Sequence, residues 1–227
     1  MPLSGISSMA TRAVLADLAQ AYAQAGGESV HIESVGGVDA ARRVQAGEAF
    51  DLVFLASDAI DKLMASGHVR AGSRVDLMRS GVSVAVPSGA AVPDIGSEAA
   101  LRAAVLTAPS VGYSTGPSGV ALMQLFERWG VAAQLQGRIV QAPPGMPVGQ
   151  LVAQGKVALG FQQTSELLHG HGIRIVGAMP ESVAIVTTFS AGVCATCGRV
   201  EAAQALLEFF ASPKALAAKE RQGMSAV

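Results

Sequence analysis

Little in this 227-residue chain is aromatic, unbalanced in charge or unbrokenly apolar, and each shortage removes a class of function. Aromatic residues make up 4% of the sequence, which leaves nothing for stacking platforms that hold bases or for aromatic walls that hold sugars. Acidic and basic residues nearly cancel, 17 against 16, so no broad field marks a nucleic-acid partner or an anionic membrane. Any anion bound here must be held by local donors. No run of eighteen apolar residues occurs, and the N-terminus lacks the basic, apolar, small-residue order of a secretory leader. As written, the chain reads as cytosolic or already trimmed. Its two cysteines, Cys194 and Cys197, form "CATC", a spacing shared by zinc knuckles and redox dithiols. A zinc site needs about four ligands, no second pair exists, and the four histidines lie mostly elsewhere. No metal and no cofactor is expected, and the cysteines read as two small buried residues.

With 50% hydrophobic residues the chain has ample material for a core. Short apolar runs alternate with segments of helical period: "SVHIESV" then "GVDAARRVQAGE", "FDLVFLAS" then "DAIDKLMASG", "SVGYST" then "GVALMQLFERWG". That alternation predicts an α/β fold with a parallel sheet. In "VALMQLFERWG", Leu122, Leu125, Phe126 and Trp129 share a face, which makes the lone tryptophan a core residue, and Gly130 ends the helix. The stretch "SGVSVAVPSGAAVPDIGS" reads as a strand followed by a passage between lobes, and "SVAIVTTFSAGVCAT" as a second crossing. Two lobes follow, 1–83 with 184–227 and 84–183. Pro213 divides the C-terminal helical segment in two.

In such sheets ligands lie beyond the carboxyl ends of strands, where helix N-termini present unpaired N–H groups. The strand-to-helix turns here share one chemistry. The first offers Ser7 and Ser8, the second Ser34, Gly36 and Gly37, the third Ala56, Ser57 and Asp58, with Asp58 expected to cap the helix it opens. In the second half "YSTGPSGVALM" supplies Ser114, Thr115, Gly116, Ser118 and Gly119, "PPGMPVGQLV" supplies Gly145, Met146, Pro147 and Val148, and "ALGFQQTSELL" supplies Gln162 and Gln163. Any one of these turns alone reads as helix capping. Their repetition in both halves points to neutral donors gathered around a small anion. "STGPSG" lacks the lysine ending of a P-loop and is not the dinucleotide fingerprint, and no G-x-S-x-G elbow marks a nucleophilic serine. His169 and His171 read as solvated loop residues. Arg12, Arg42, Arg43 and Arg74 are the candidates for pairing with ligand carboxylates, each with a surface ion pair as its plainer alternative.

Six phrases in order, among them "ISSMATRAVLADLAQAYAQAGG", "RRVQAGEAFDLVFLAS", "SVGYSTGPSGVALMQLFERWGV" and "PVGQLVAQGKVALGFQQTSEL", resemble periplasmic solute-binding proteins of the molybdate-binding type that serve ABC transporters. The resemblance implies a type II periplasmic binding protein fold, two Rossmann-like lobes with a ligand cleft between them, working as a monomer that delivers its anion to a membrane permease. Carried onto this chain, it implies ligand contacts from Ser7 or Ser8, the Gly36–Gly37 turn, Ser57, the Pro147–Val148 helix start and Gln163. A glutamine at 163, where molybdate-specific members often have tyrosine, and "VGG" in the second turn favour a ligand with carboxylates or mixed polarity. "SRVDLMRSGVSVAVPSGA" and "FSAGV" also resemble a subgroup that includes aconitate isomerase, so isomerisation of a polycarboxylate is the alternative to transport. The resemblance further implies a periplasmic location, where Cys194 and Cys197 would meet oxidising conditions.

Overall fold

The computed structural model describes residues 2–227. The chain divides into two compact units, one running to Ser80 and resuming at Thr187–Val227, the other Gly81–Val186.

The first unit contains β1 (Leu3–Ser8), α1 (Arg12–Gln24), β2 (Val30–Val35), α2 (Gly37–Gln45), β3 (Leu52–Ala56) and α3 (Ser57–Ala65). A long strand, β4 (Val75–Pro87), begins here and continues into the second unit. Strands β2, β1 and β3 are parallel, with Ser7 opposite both Ser34 and Phe54. All five residues of β3 are buried, because alternate side chains leave a strand on opposite faces and both faces are covered. Leu52 and Phe54 pack with Leu15 and Leu18 of α1, whereas Val53 and Leu55 pack with Val44 of α2 and Leu63 of α3. Full burial of a side chain of this size contributes about 1.5–3 kcal/mol.

The second unit adds α4 (Glu98–Thr107), β5 (Val111–Tyr113), α5 (Pro117–Arg128), β6 (Ile139–Gln141), α6 (Val148–Ala153), β7 (Leu159–Gln163), α7 (Thr164–Leu167) and β8 (Ile173–Ala178). Strand β5 lies parallel to β6 and β7, placing Gly112 opposite Gly160. Side chains there would collide with α6 and the segment that follows it: a Cβ at Gly160 would stand 2.5 Å from Val152 Cγ2, and one at Gly112 2.7 Å from Val157 Cγ1 and 3.1 Å from Val148 Cγ1. The paired glycines let this short helix lie close on the sheet. Phe126 and Phe161 are buried and meet edge-on, while the half-buried Trp129 packs against this core and donates its indole N–H to Glu98 Oε1 at 2.7 Å.

After β9 (Val186–Val193) the chain completes the first unit with α8 (Val200–Ala211) and α9 (Leu216–Arg221), separated at Pro213 as expected. Helix α5 ends at Arg128, and Gly130 takes the left-handed conformation, φ 65°, that stops a helix.

The parallel-sheet expectation needs correcting. Strand β9 is antiparallel to β3, and β4 is antiparallel to both β7 and β8, so the sheet is mixed. Local periodicity reports burial on two faces, and that burial is the same for either strand direction.

Candidate functional site

In the first unit the carboxyl ends of β1 and β2 bring Ser7 and Ser34 together, Oγ to Oγ at 2.7 Å. Ser7 is fully buried and also donates to the Ser8 carbonyl at 3.3 Å. Its hydroxyl is committed to holding the strand ends in place. Ser8 is different. Its Oγ has one neighbouring hydroxyl, Thr11 Oγ1, at the long distance of 3.5 Å, and Thr11 donates to the Ser8 carbonyl. A Cβ at Gly37 would stand 3.6 Å from Ser8 Cβ, so the first residue of α2 lies against this serine.

Helix capping fails as the explanation for these residues. Ser8 precedes a single 3-10 turn, Met9–Thr11, and makes no cap; Thr11 makes none for α1. Gly36 precedes α2 and has no side chain, and α3 begins at Ser57 behind Ala56. Asp58, expected as the cap of α3, lies inside its first turn instead, 3.7 Å from Lys62. The opening amides of α2 and α3 therefore lack a side-chain acceptor, which is the electrostatic state that binds anions. Elsewhere the sequence does cap: Ser97 Oγ accepts from Ala100 N–H at 3.2 Å at the start of α4.

The second unit repeats the pattern. Strand β5 ends at Tyr113, and the following turn sets Ser114 Oγ 3.3 Å from Ser118 Oγ, with Ser118 buried near the start of an uncapped α5. Pro147 precedes α6 and Val148 opens it, again without a side-chain cap to the N-terminal residue. One amide within α6 is satisfied from the sheet: Gly149 N–H donates to Gln162 Oε1 at 2.9 Å. Gln163, at the end of β7, is buried and precedes α7. Within each unit, then, the expected residues gather at strand ends: Ser7, Ser8, Gly36, Gly37 and Ser57 in the first, Ser114, Ser118, Pro147, Val148 and Gln163 in the second.

The other candidates separate. Arg42 pairs with Asp39 at 2.6 Å, Arg43 with Glu33 and Glu48, and Arg74 with Asp61 and Asp76. Those ion pairs account for three of the four arginines, while Arg12 is exposed at the first position of α1. His169 and His171 are exposed loop residues. Cys194 and Cys197 are free and buried, and burial pushes the Cys194 thiol up to about 12, helped by the nearby Cys197 and Asp51. A thiol so held is a poor nucleophile. Among the described residues no group of three His, Cys, Asp or Glu could hold a metal ion, and no helix is long and apolar enough to cross a membrane.

Glu166 escaped the sequence reading. It follows Gln163 by three positions in the first turn of α7, half-buried overall with its carboxyl desolvated. Burial pushes its pKa up to about 7 against the opposing effect of a hydrogen bond from Gln162. Gln162 thus joins this carboxyl to the start of α6. The signal in "QQTSE" was an acid at a helix start, which usually means a solvated charge.

Comparisons with known proteins agree with this architecture. A family model described as bacterial extracellular solute-binding protein matches residues 3–225. An aconitate isomerase from a Pseudomonas species is 37% identical over 231 residues, covering 99% of this chain and 88% of that protein. Among solved structures, the periplasmic molybdate-binding protein of Azotobacter vinelandii superposes with a TM-score of 0.81 at 21% identity, covering 99% of each chain. The sulfate-binding protein SubI of Mycobacterium tuberculosis superposes with a TM-score of 0.80 at 16% identity, covering 100% of this chain and 87% of that one.

Proposed function

The chain belongs to the bacterial extracellular solute-binding protein family and has the type II periplasmic binding protein fold, and from that premise we propose that it holds a small anion through strand-end hydroxyls and helix amides of the kind each unit carries, for delivery to a membrane permease. The observation that carries this reading is the set of helix starts without side-chain caps beside strand-end serines, found in each unit separately. Neutral dipoles of this kind stabilise an anion without a countercharge, because they are oriented in advance and need not reorganise. The ligand class is a compact oxyanion, such as those named for the two structural neighbours, or a small carboxylate. The place of work is outside the cytoplasm.

A thermal-shift panel of molybdate, tungstate, sulfate, phosphate, citrate and the aconitates tests the reading. A ligand at a hundred times its Kd stabilises the native state by about 2.7 kcal/mol and raises Tm accordingly. No shift with any anion at millimolar concentration rejects it. Ser8→Ala and Ser118→Ala are each expected to weaken the active ligand by about 1 kcal/mol or more, roughly five-fold in Kd, by calorimetric titration. Because the two serines belong to different units, loss from only one would confine the site to that unit.

A second reading, isomerisation of a polycarboxylate such as aconitate, is favoured by the 37% identical relative and by a carboxyl that exchanges its proton near neutrality. Moving the double bond breaks a C–H bond at one carbon and forms one at another, and a single group with a pKa near the working pH serves both transfers. Following cis- to trans-aconitate conversion by absorbance decides it. Turnover lost in Glu166→Gln with binding retained supports the enzyme; no turnover in the wild type leaves a binding protein.

A further inference from the structure

A cavity of about 450 Å³ lies within the first unit between α1 and β2, walled by Leu15, Ala16, Val30 and Ile32 and headed by Arg12 and Ser34. Its two kinds of surface come from two periodicities. Successive turns of α1 put Arg12, Leu15, Ala16 and Ala19 on one stripe, and alternate residues of β2 put Val30, Ile32 and Ser34 on one face. The polar end coincides with the strand end already described, since Ser34 is the partner of Ser7.

Arg12 makes no ion pair or hydrogen bond among the described residues, unlike Arg42, Arg43 and Arg74, whose carboxylate partners hold them at the surface. It brings to the head of the cavity a full positive charge and a planar fork that matches a carboxylate in two hydrogen bonds. A tetrahedral oxyanion can share the fork but carries no methylene groups to lay against an aliphatic wall. A carboxylate carried on a carbon skeleton uses both: its oxygens meet the guanidinium and the Ser34 hydroxyl, and its methylene groups meet Leu15 and Ile32. When the single Ser7 proton turns from the Ser8 carbonyl to Ser34, the Ser34 proton is free to turn to the ligand.

We propose that Arg12 is a specificity-determining residue, which makes the anion site of this protein select a carboxylate on a carbon skeleton over a compact oxyanion. The inference rests on the anion-binding reading above and assigns that site its chemical preference. Calorimetric titration of the wild type, Arg12→Gln and Arg12→Lys with citrate, trans-aconitate, molybdate and sulfate tests it at fixed ionic strength. The expected result is that citrate or trans-aconitate binds the wild type more tightly than either oxyanion, that Arg12→Gln weakens the carboxylate ten-fold or more, and that Arg12→Lys recovers part of the loss. Any oxyanion binding should weaken less than carboxylate binding in Arg12→Gln, because the oxyanion has no skeleton for the fork to orient against the apolar wall. A carboxylate affinity unchanged in Arg12→Gln, an equal loss for all four anions, or a wild type that prefers molybdate or sulfate overturns the inference while leaving anion binding intact. A wild type that binds none of the four overturns the anion reading and this inference with it. Arg12 is exposed, and matching circular dichroism and Tm of the ligand-free variants would show that the fold is kept.

Discussion

Gly119→Ala is expected to cost about 3 kcal/mol or more and to remove ligand binding with it. Gly119 is the third residue of α5, and a Cβ there would stand 1.8 Å from the Ser114 carbonyl oxygen and 2.9 Å from its carbon. Those atoms are backbone, so no rotamer change makes room; the helix start must lift or the 114–116 turn must rebuild. Overpacking against a flexible side chain costs about 1–3 kcal/mol, and a clash with backbone belongs at or beyond the upper end. The same displacement separates Ser114 from Ser118, which stand 3.3 Å apart across this turn. Gly116→Ala is the control. Its Cβ would meet only Ser114 Oγ at 3.9 Å, an ordinary contact, and its φ of −79° suits any residue, so a loss under about 1 kcal/mol is expected. Urea denaturation of both variants reads the difference. Equal midpoints would show that the turn has room for a side chain.

Glu166→Gln is expected to stabilise the protein at alkaline pH. In the unfolded chain this carboxyl gives up its proton near 4.5, whereas burial in the fold holds the proton until about 7. Between those values the native state binds the extra proton. The stabilisation is therefore complete below about 4.5, is lost as pH rises to about 7, and does not change further above that. At about 1.4 kcal/mol per pH unit the loss is on the order of 3–4 kcal/mol. Glutamine keeps the neutral form at every pH. Urea midpoints at pH 5 and pH 8 should then nearly coincide for the two proteins at pH 5 and diverge at pH 8, with the variant the more stable. Parallel pH dependence in the two would mean that the carboxyl is solvated in the folded state.

Capping and ligand holding draw on the same residue types, so the meaning of each serine stayed open until its partner was known. "ISSMATRAV" reads as a cap, yet Ser7 bonds to Ser34, 27 residues away, and Ser8 caps nothing. "SDAIDKL" reads as a helix opened by Asp58, yet the helix begins at Ser57. Arg12, Arg42, Arg43 and Arg74 are equivalent as letters; only the approach of Glu33, Glu48, Asp39, Asp61 and Asp76 separates three of them from the first. Glu166 went unnoticed because an acid in a first helical turn is ordinarily exposed, and its desolvation depends on what packs over a four-residue helix.

By itself the sequence determined the alternation of strand and helix, the packing of a half-buried Trp129 against the core, the stops at Gly130 and Pro213, and the placing of hydroxyls and glycines after strands. These follow from local periodicity, from backbone restrictions at glycine and proline, and from the limited choice of residues that suit a turn. Tertiary structure alone decided strand direction in β4 and β9, which hydroxyls were spent on each other, which arginine kept its charge uncompensated, and which carboxyl was taken out of water. Each of those depends on groups far apart in the chain, whose approach no local pattern records.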